Sequence, residues 1–236
     1  MIPLKDENPT QTVPYVLYAI VAFNVVLFLY NGTLRADYLN PLAGYMLIPR
    51  EVVTGVDIGI RTPVPVWMTI FTSMFMHANI LHIGGNMLYL WIFGNNIEDV
   101  LGHFKFLMFY LLSGIGAALL HIITAPMSIV PTVGASGAIA GVLGAYLYLF
   151  PRAKIISLVF LFYYVELVAL PASLLLGLWI AIQVVSTLTA SSEGGGIAYA
   201  AHVGGFLTGL LLIILFGGKR LLRRRQSYHH PRYIRW

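Results

Sequence analysis

Cysteine is absent from the 236 residues, which excludes disulfides and thiolate chemistry but leaves the compartment open. Charge is scarce. Only 10% of the chain is Asp, Glu, Lys or Arg against 58% hydrophobic, and a mean hydropathy of +0.81 lies outside the range of a soluble domain. A membrane protein is expected. The chain also lacks a phosphate-binding loop, a dinucleotide fingerprint and an HExxH metal motif, and shows no internal repeat of the kind that builds transporter halves. Its polar, mixed-charge start, MIPLKDENPTQT, is not that of a cleavable leader, so the first apolar run is expected to remain as a helix.

What the chain does have is long apolar runs. Six approach the ~20 residues that a spanning helix needs, at about 14–30, 78–97, 104–123, 135–150, 168–188 and 200–216. The expected fold class is therefore all-α, a polytopic bundle of six transmembrane helices with a long outer loop over 31–76. A seventh apolar run, 155–165, is short and is cut from the next span by Glu166 and Pro171, so it reads as re-entrant or interfacial. Positive charge sets the orientation. PRAK at 151–154 and KRLLRRR at 219–225 fall on the same side only if six spans are crossed, which puts both termini in the cytoplasm. One membrane domain over 1–218 and a basic cytoplasmic tail over 219–236 follow, the tail reading as an anchor rather than a nucleic-acid site.

Polar side chains inside a span are costly, so they mark functional candidates. His82 and Asn86 lie in the second span, Ser136 in the fourth and His202 in the sixth. If Phe150 and Phe216 mark inner edges, Ser136 and His202 each stand about 21 Å above them, matched in depth. His82 falls at about 16–22 Å, with Asn86 one turn lower on the same face. Gly137 and Gly141 flank the serine, and Ala201, Gly205 and Gly209 flank the histidine; such small-residue faces let helix backbones close up in lipid. The expected result is an activated nucleophile and its base, with Ser136 near a helix N-terminus where free N–H groups favour an oxyanion, and Asn86 and His82 adding side-chain donors.

The nine acids add an exclusion, because none lies in a span at the depth of His202. A Ser-His-Asp triad and a paired-carboxylate protease are both unexpected, and a dyad is left, with His202 oriented by ring packing or a neutral hydrogen bond. Blander readings exist for each residue alone. A serine among glycines is more often packing glue, His77 reads as an interfacial residue, and a His77/His82/His202 metal site is disfavoured, so no metal or cofactor is expected. His103 and His121 need no role, and Glu98 and Asp99 read as loop-tying acceptors of backbone N–H groups. Together, equal depth, facing glycines and missing acids favour catalysis.

HANILHIGGN at 77–86, GNNIED at 94–99, GASG at 134–137, LGLW at 176–179 with Gln183, and AHVGGFLTG at 201–209 give the chain its resemblance to the rhomboid intramembrane serine proteases, over roughly 14–216. The resemblance implies Ser136 as nucleophile, His202 as base, His82 and Asn86 with the Ser136 N–H as oxyanion donors, and His77 as a residue that shapes the pocket. It implies cleavage of transmembrane protein substrates near their outer boundary in the cell membrane, with span five and the stretch 189–199 as gate and lid. The chain departs from some members in carrying Ala140 where an aromatic stacks on the histidine, and Trp67-Met68 where a Trp-Arg pair is common. An inactive relative that binds or escorts membrane clients is the alternative, and the joint presence of Ser136 and His202 favours the enzyme.

Overall fold

The computed structural model describes residues 1–31, 43–58, 61–161, 164–189 and 198–229. Runs of Leu, Ile, Val, Phe and Ala without interior proline form its main helices: α1 (Tyr15–Asn31), α4 (Ile80–Leu101), α5 (His103–Thr124), α6 (Ser136–Leu149), α7 (Ala172–Thr189) and α8 (Tyr199–Leu215). Two short helices, α2 (Pro49–Thr54) and α3 (Thr69–Thr72), lie between α1 and α4, and α9 (Gly218–His229) closes the described chain. By length and composition α5 and α7 can each cross a membrane. The bent pair 66–75 and 80–101, broken by 79°, makes a third candidate, and Tyr15–Tyr30, α6 and α8 are shorter apolar helices.

Glycine decides the centre of the bundle. A Cβ at Gly205 would lie 1.9 Å from the Gly137 carbonyl oxygen, and one at Gly209 2.2 Å from that of Gly141, so α6 and α8 touch backbone to backbone. On the other side of α8, a Cβ at Gly204 would meet the Gly116 carbonyl oxygen of α5 at 2.8 Å. Helix α8 is thus held between α5 and α6, and α6 is buried along most of its length. Helix α7 lies outside this trio and buries only Ala172, Leu175, Leu176 and Gln183.

The fold is mostly helical but not all-α, which corrects the expected class. Residues 2–6, 154–161 and 164–171 form β1, β2 and β3 of one antiparallel sheet in the order β1-β2-β3. Of the run 155–165, residues 155–161 and 164–165 are therefore strand rather than a re-entrant segment, 162–163 lying outside the described residues, and the helix expected from 168 begins only at Ala172, because 168–171 complete β3. Sequence periodicity cannot tell a short apolar strand from a short apolar helix, and here the deciding partner, β1, lies some 150 positions away. Beta-branched and aromatic residues suit the pleated ladder once that partner is present.

Acids gather at the sheet end of the bundle. Glu98, fully buried at the foot of α4, accepts the Val16 and Leu17 N–H groups at 3.0 and 2.7 Å, and so caps α1 from another helix. Asp99 accepts from the Gln11 and Thr12 N–H groups. Asp6 of β1 accepts from the Tyr146 hydroxyl at 2.8 Å and Asn96 Nδ2 at 2.7 Å, and burial holds its carboxyl above the usual carboxylate range despite those donors. The basic helix α9 folds back so that Lys219 sits 4.3 Å over the Tyr148 ring, while Leu221 and Leu222 pack on the core. Of the expected outer loop 31–76, residues 32–42 and 59–60 lie outside the described set, as do 190–197 of the expected lid and 230–236 of the tail.

Candidate active site

Helices α4, α6 and α8 all begin at one cavity of about 560 Å³, lined by Ser136, His202, His82 and Asn86. Three helix N-termini therefore point their free N–H groups and positive dipole ends toward the same space. Ser136 is the first residue of α6, and the first intrahelical bond runs from Ile139 N–H to the Ala135 carbonyl. The N–H groups of Ser136, Gly137 and Ala138 consequently have no acceptor within the helix.

His202 stands one turn into α8. Its Nε2 lies 2.8 Å from Ser136 Oγ, and its Nδ1 lies 2.8 Å from Gln183 Oε1 of α7. An amide oxygen only accepts, so Nδ1 carries the ring proton and Nε2 is left as a bare acceptor for the Ser136 hydroxyl. Trp179, one turn before Gln183, lies beside the same imidazole at a centroid separation of 5.7 Å. The histidine thus has both a neutral hydrogen bond and a ring neighbour, and Ala140 is buried. Sequence marked LGLW and Gln183 only as points of likeness; their placement against His202 was not legible, because the register of α7 against α8 is a tertiary property.

The donors come from α4. Asn79 caps this helix by accepting the His82 N–H at 2.9 Å, which fixes His82 in the first turn. His82 Nδ1 accepts from the Ala78 N–H at 3.4 Å, so its other nitrogen, Nε2, holds the proton and faces Gly134. Gly134 has φ +125°, which strains any side chain, and a Cβ there would lie 2.7 Å from His82 Nε2. Glycine is thus required on both counts two residues before the serine. Asn86 is buried, and its Nδ2 has no hydrogen-bond partner among the described residues. A buried donor left unpaired costs about 1–3 kcal/mol, which a bound acceptor would recover.

His77 is fully buried behind His82, edge to face at 5.1 Å, and does not line the cavity. His121, given no role from sequence, does line it and binds Thr132 at 3.0 Å, on the strand segment that bridges to Leu47. Among the described residues no cluster of three or more His, Cys, Asp or Glu is placed to hold a metal. Glu98 and Asp99 lie at the far end of α4, engaged with α1 and the segment before it.

A membrane helix bundle with a hydrogen-bonded serine and histidine at converging helix ends defines the class. The chain belongs to the rhomboid family, of integral membrane proteins: the Rhomboid domain pattern matches residues 65–219. It is 34% identical over 203 residues to Rhomboid protein 1, mitochondrial, of Saccharomyces cerevisiae, covering 83% of this chain and 51% of that protein. It is 40% identical over 77 residues to Rhomboid-like protein 11, chloroplastic, of Arabidopsis thaliana, covering 33% of this chain and 27% of that one. It is 39% identical over 82 residues to Rhomboid protease GluP of Bacillus subtilis, covering 35% and 16% respectively. The chain spans about half the length of the yeast relative and less of the other two.

Proposed function

We propose that the protein is an intramembrane serine endopeptidase that cleaves transmembrane segments of other membrane proteins near their outer boundary, with Ser136 as nucleophile and His202 as base. The observation that carries this reading is the chain of contacts from Ser136 Oγ through His202 to Gln183, at 2.8 Å each, in a protein whose spans offer no acid at the depth of His202. Ser136 Oγ attacks the scissile carbonyl carbon while its proton passes to His202 Nε2. Gln183 Oε1 holds the Nδ1 proton and the ring in place, and its carbonyl dipole offsets part of the imidazolium charge. The carbonyl oxygen becomes an oxyanion facing the Ser136 N–H, Asn86 Nδ2 and His82 Nε2. The C–N bond then breaks, the amine leaves with the proton from His202, and water, deprotonated by the same nitrogen, hydrolyses the acyl-enzyme.

The setting favours this chemistry. A peptide bond inside a helix is enclosed in its own ladder of hydrogen bonds, so a substrate must unwind before it reaches Ser136. A six-span arrangement with both termini on the cytoplasmic side, a membrane domain over 1–218 and a basic tail over 219–236 place the cavity toward the outer side of the cell membrane. Gly137, Gly141, Gly205 and Gly209 serve as the packing surface that keeps serine and histidine in reach, and His77 backs His82. The test is labelling of purified protein by a serine-directed phosphonate or isocoumarin. Labelling is expected in wild type and lost in both Ser136→Ala and His202→Ala; a well-folded wild type that takes no label would overturn the reading.

A further inference from the structure

The two edges of the sheet are built differently. The β1 edge is blunted in several ways: a bulge interrupts its register between Pro3 and Lys5, Pro3 has no N–H, and Lys5 is charged. The β3 edge has neither a bulge nor an interior proline. All eight residues of β3 pair with β2 in unbroken register, proline occurs only at the last position, and the one charge is Glu166. Every second residue of an antiparallel edge strand turns its N–H and C=O outward, and no described residue bonds to those of β3. Both faces carry exposed apolar side chains, Glu166 sharing its face with Tyr164. Val165 and Leu167 on one face are 58% and 65% exposed, and Tyr164 on the other is 72% exposed.

This edge leads into a helix that reaches the candidate active site. Pro171 of β3 leads directly into Ala172 of α7, the helix that brings Gln183 to His202. Along its outer side α7 presents Leu174, Leu178 and Ile182, one helical turn apart and 46–54% exposed. A substrate helix lying against that stripe leaves the bilayer beside the free edge. From these features we infer that the β3 edge is a docking site for the substrate, which adds its extended inner juxtamembrane segment to the sheet as a fourth strand. The inference rests on the proteolytic reading for its occupant. Main-chain hydrogen bonds supply the affinity, and they are strongest where water is scarce. Glu166 supplies the selectivity. Inner flanks of membrane spans are rich in Lys and Arg, so a basic residue opposite Glu166 is the complementary partner.

The natural absence of cysteine makes the test direct. The full chain carrying Ser136→Ala and Leu167→Cys is reconstituted with a single-span reporter whose inner flank reads Thr-Lys-Val-Lys-Val-Thr, with one cysteine walked along it. A comparator keeps the two lysines but replaces the flank with Gly, Ser and Pro. Oxidation is expected to trap every second reporter position, and the comparator at least tenfold less. With Ser136 restored and residue 167 as Leu, the comparator is cleaved with KM raised about tenfold and kcat unchanged, the scale of a few lost main-chain bonds. Glu166→Lys raises KM for the strand-forming reporter about threefold, and glutamates in place of the reporter lysines reverse that. Disulfides between two copies of the chain would instead assign the edge to a second copy. Quenching of Leu167→Trp by brominated lipid, without trapping, would assign it to the bilayer. Either result overturns the inference. Trapping without cleavage of any reporter would overturn the proteolytic reading and leave the docking site, whereas equal KM values without trapping would overturn docking and leave proteolysis.

Discussion

The two ends of α4 carry polar residues for opposite reasons. At its foot, Asn96, Glu98 and Asp99 are engaged: Glu98 caps α1, Asp99 accepts from the segment before it, and Asn96 joins Asn8 to Asp6. At its head, Asn86 keeps Nδ2 buried and unbonded, and His82 aims a ring N–H at the space before Ser136. Satisfied acceptors at one end build the fold. Unsatisfied donors at the other weaken the fold slightly and, under the proposed function, stand ready for charge that appears only during a reaction. That contrast predicts that substitutions at the head change rate without lowering stability, and that substitutions at the foot do the reverse.

The largest expected effect breaks the site itself. Ser136→Ala should lower cleavage of a membrane reporter by about 10⁴-fold or more while leaving the thermal midpoint within a few degrees, measured by turnover and by melting of the detergent-solubilised protein. Asn86→Ala comes next, with kcat down about 10²–10³-fold, KM little changed and stability equal to or above wild type, since an unpaired buried donor is removed. A fall in stability with normal kcat would place Asn86 in the same class as Glu98.

Glu98→Ala should show the opposite pattern. It strands the Val16 and Leu17 N–H groups and takes away the partner of the half-exposed His103 ring, whose Nδ1 lies 2.5 Å from Glu98 Oε1. A loss of about 3 kcal/mol in denaturant titration is expected, with probe labelling per folded molecule unchanged. The smallest effect is at Asp6. Because burial raises its folded pKa above the unfolded 3.8, its contribution to stability is full below 3.8 and is lost as pH rises through the folded value. Asp6→Asn should remove that part of the pH dependence, melting at or above wild type at pH 7 by about 1 kcal/mol, with the gain gone or reversed near pH 3.5. Glu51, likewise raised by burial and present in both proteins, cancels in the difference.

Much of the candidate site was legible because lipid makes polar residues conspicuous. Ser136, His202, His82 and Asn86 stand out in apolar runs, and constant helix rise converts sequence position into depth, so residues 66 positions apart could be matched before any contact was seen. The glycine faces were legible for a related reason: in lipid, close helix approach calls for small residues, and those of α6 and α8 sit beside the serine and the histidine. The same constancy does not extend to strands. Residues 155–165 carry apolar character without a period that selects helix or strand, and 2–6 read as a polar tail until β2 is there to pair with it.

By itself, then, the sequence determined which segments are apolar enough to leave water and which side chains stand out within them, because both follow from local composition and the cost of desolvation. The tertiary structure decided the sheet, the capping of α1 by Glu98, the place of Gln183 and Trp179 against His202, and the stance of His77 behind His82. Each of these depends on the register between elements distant in the chain, and register is set by packing that no single segment encodes.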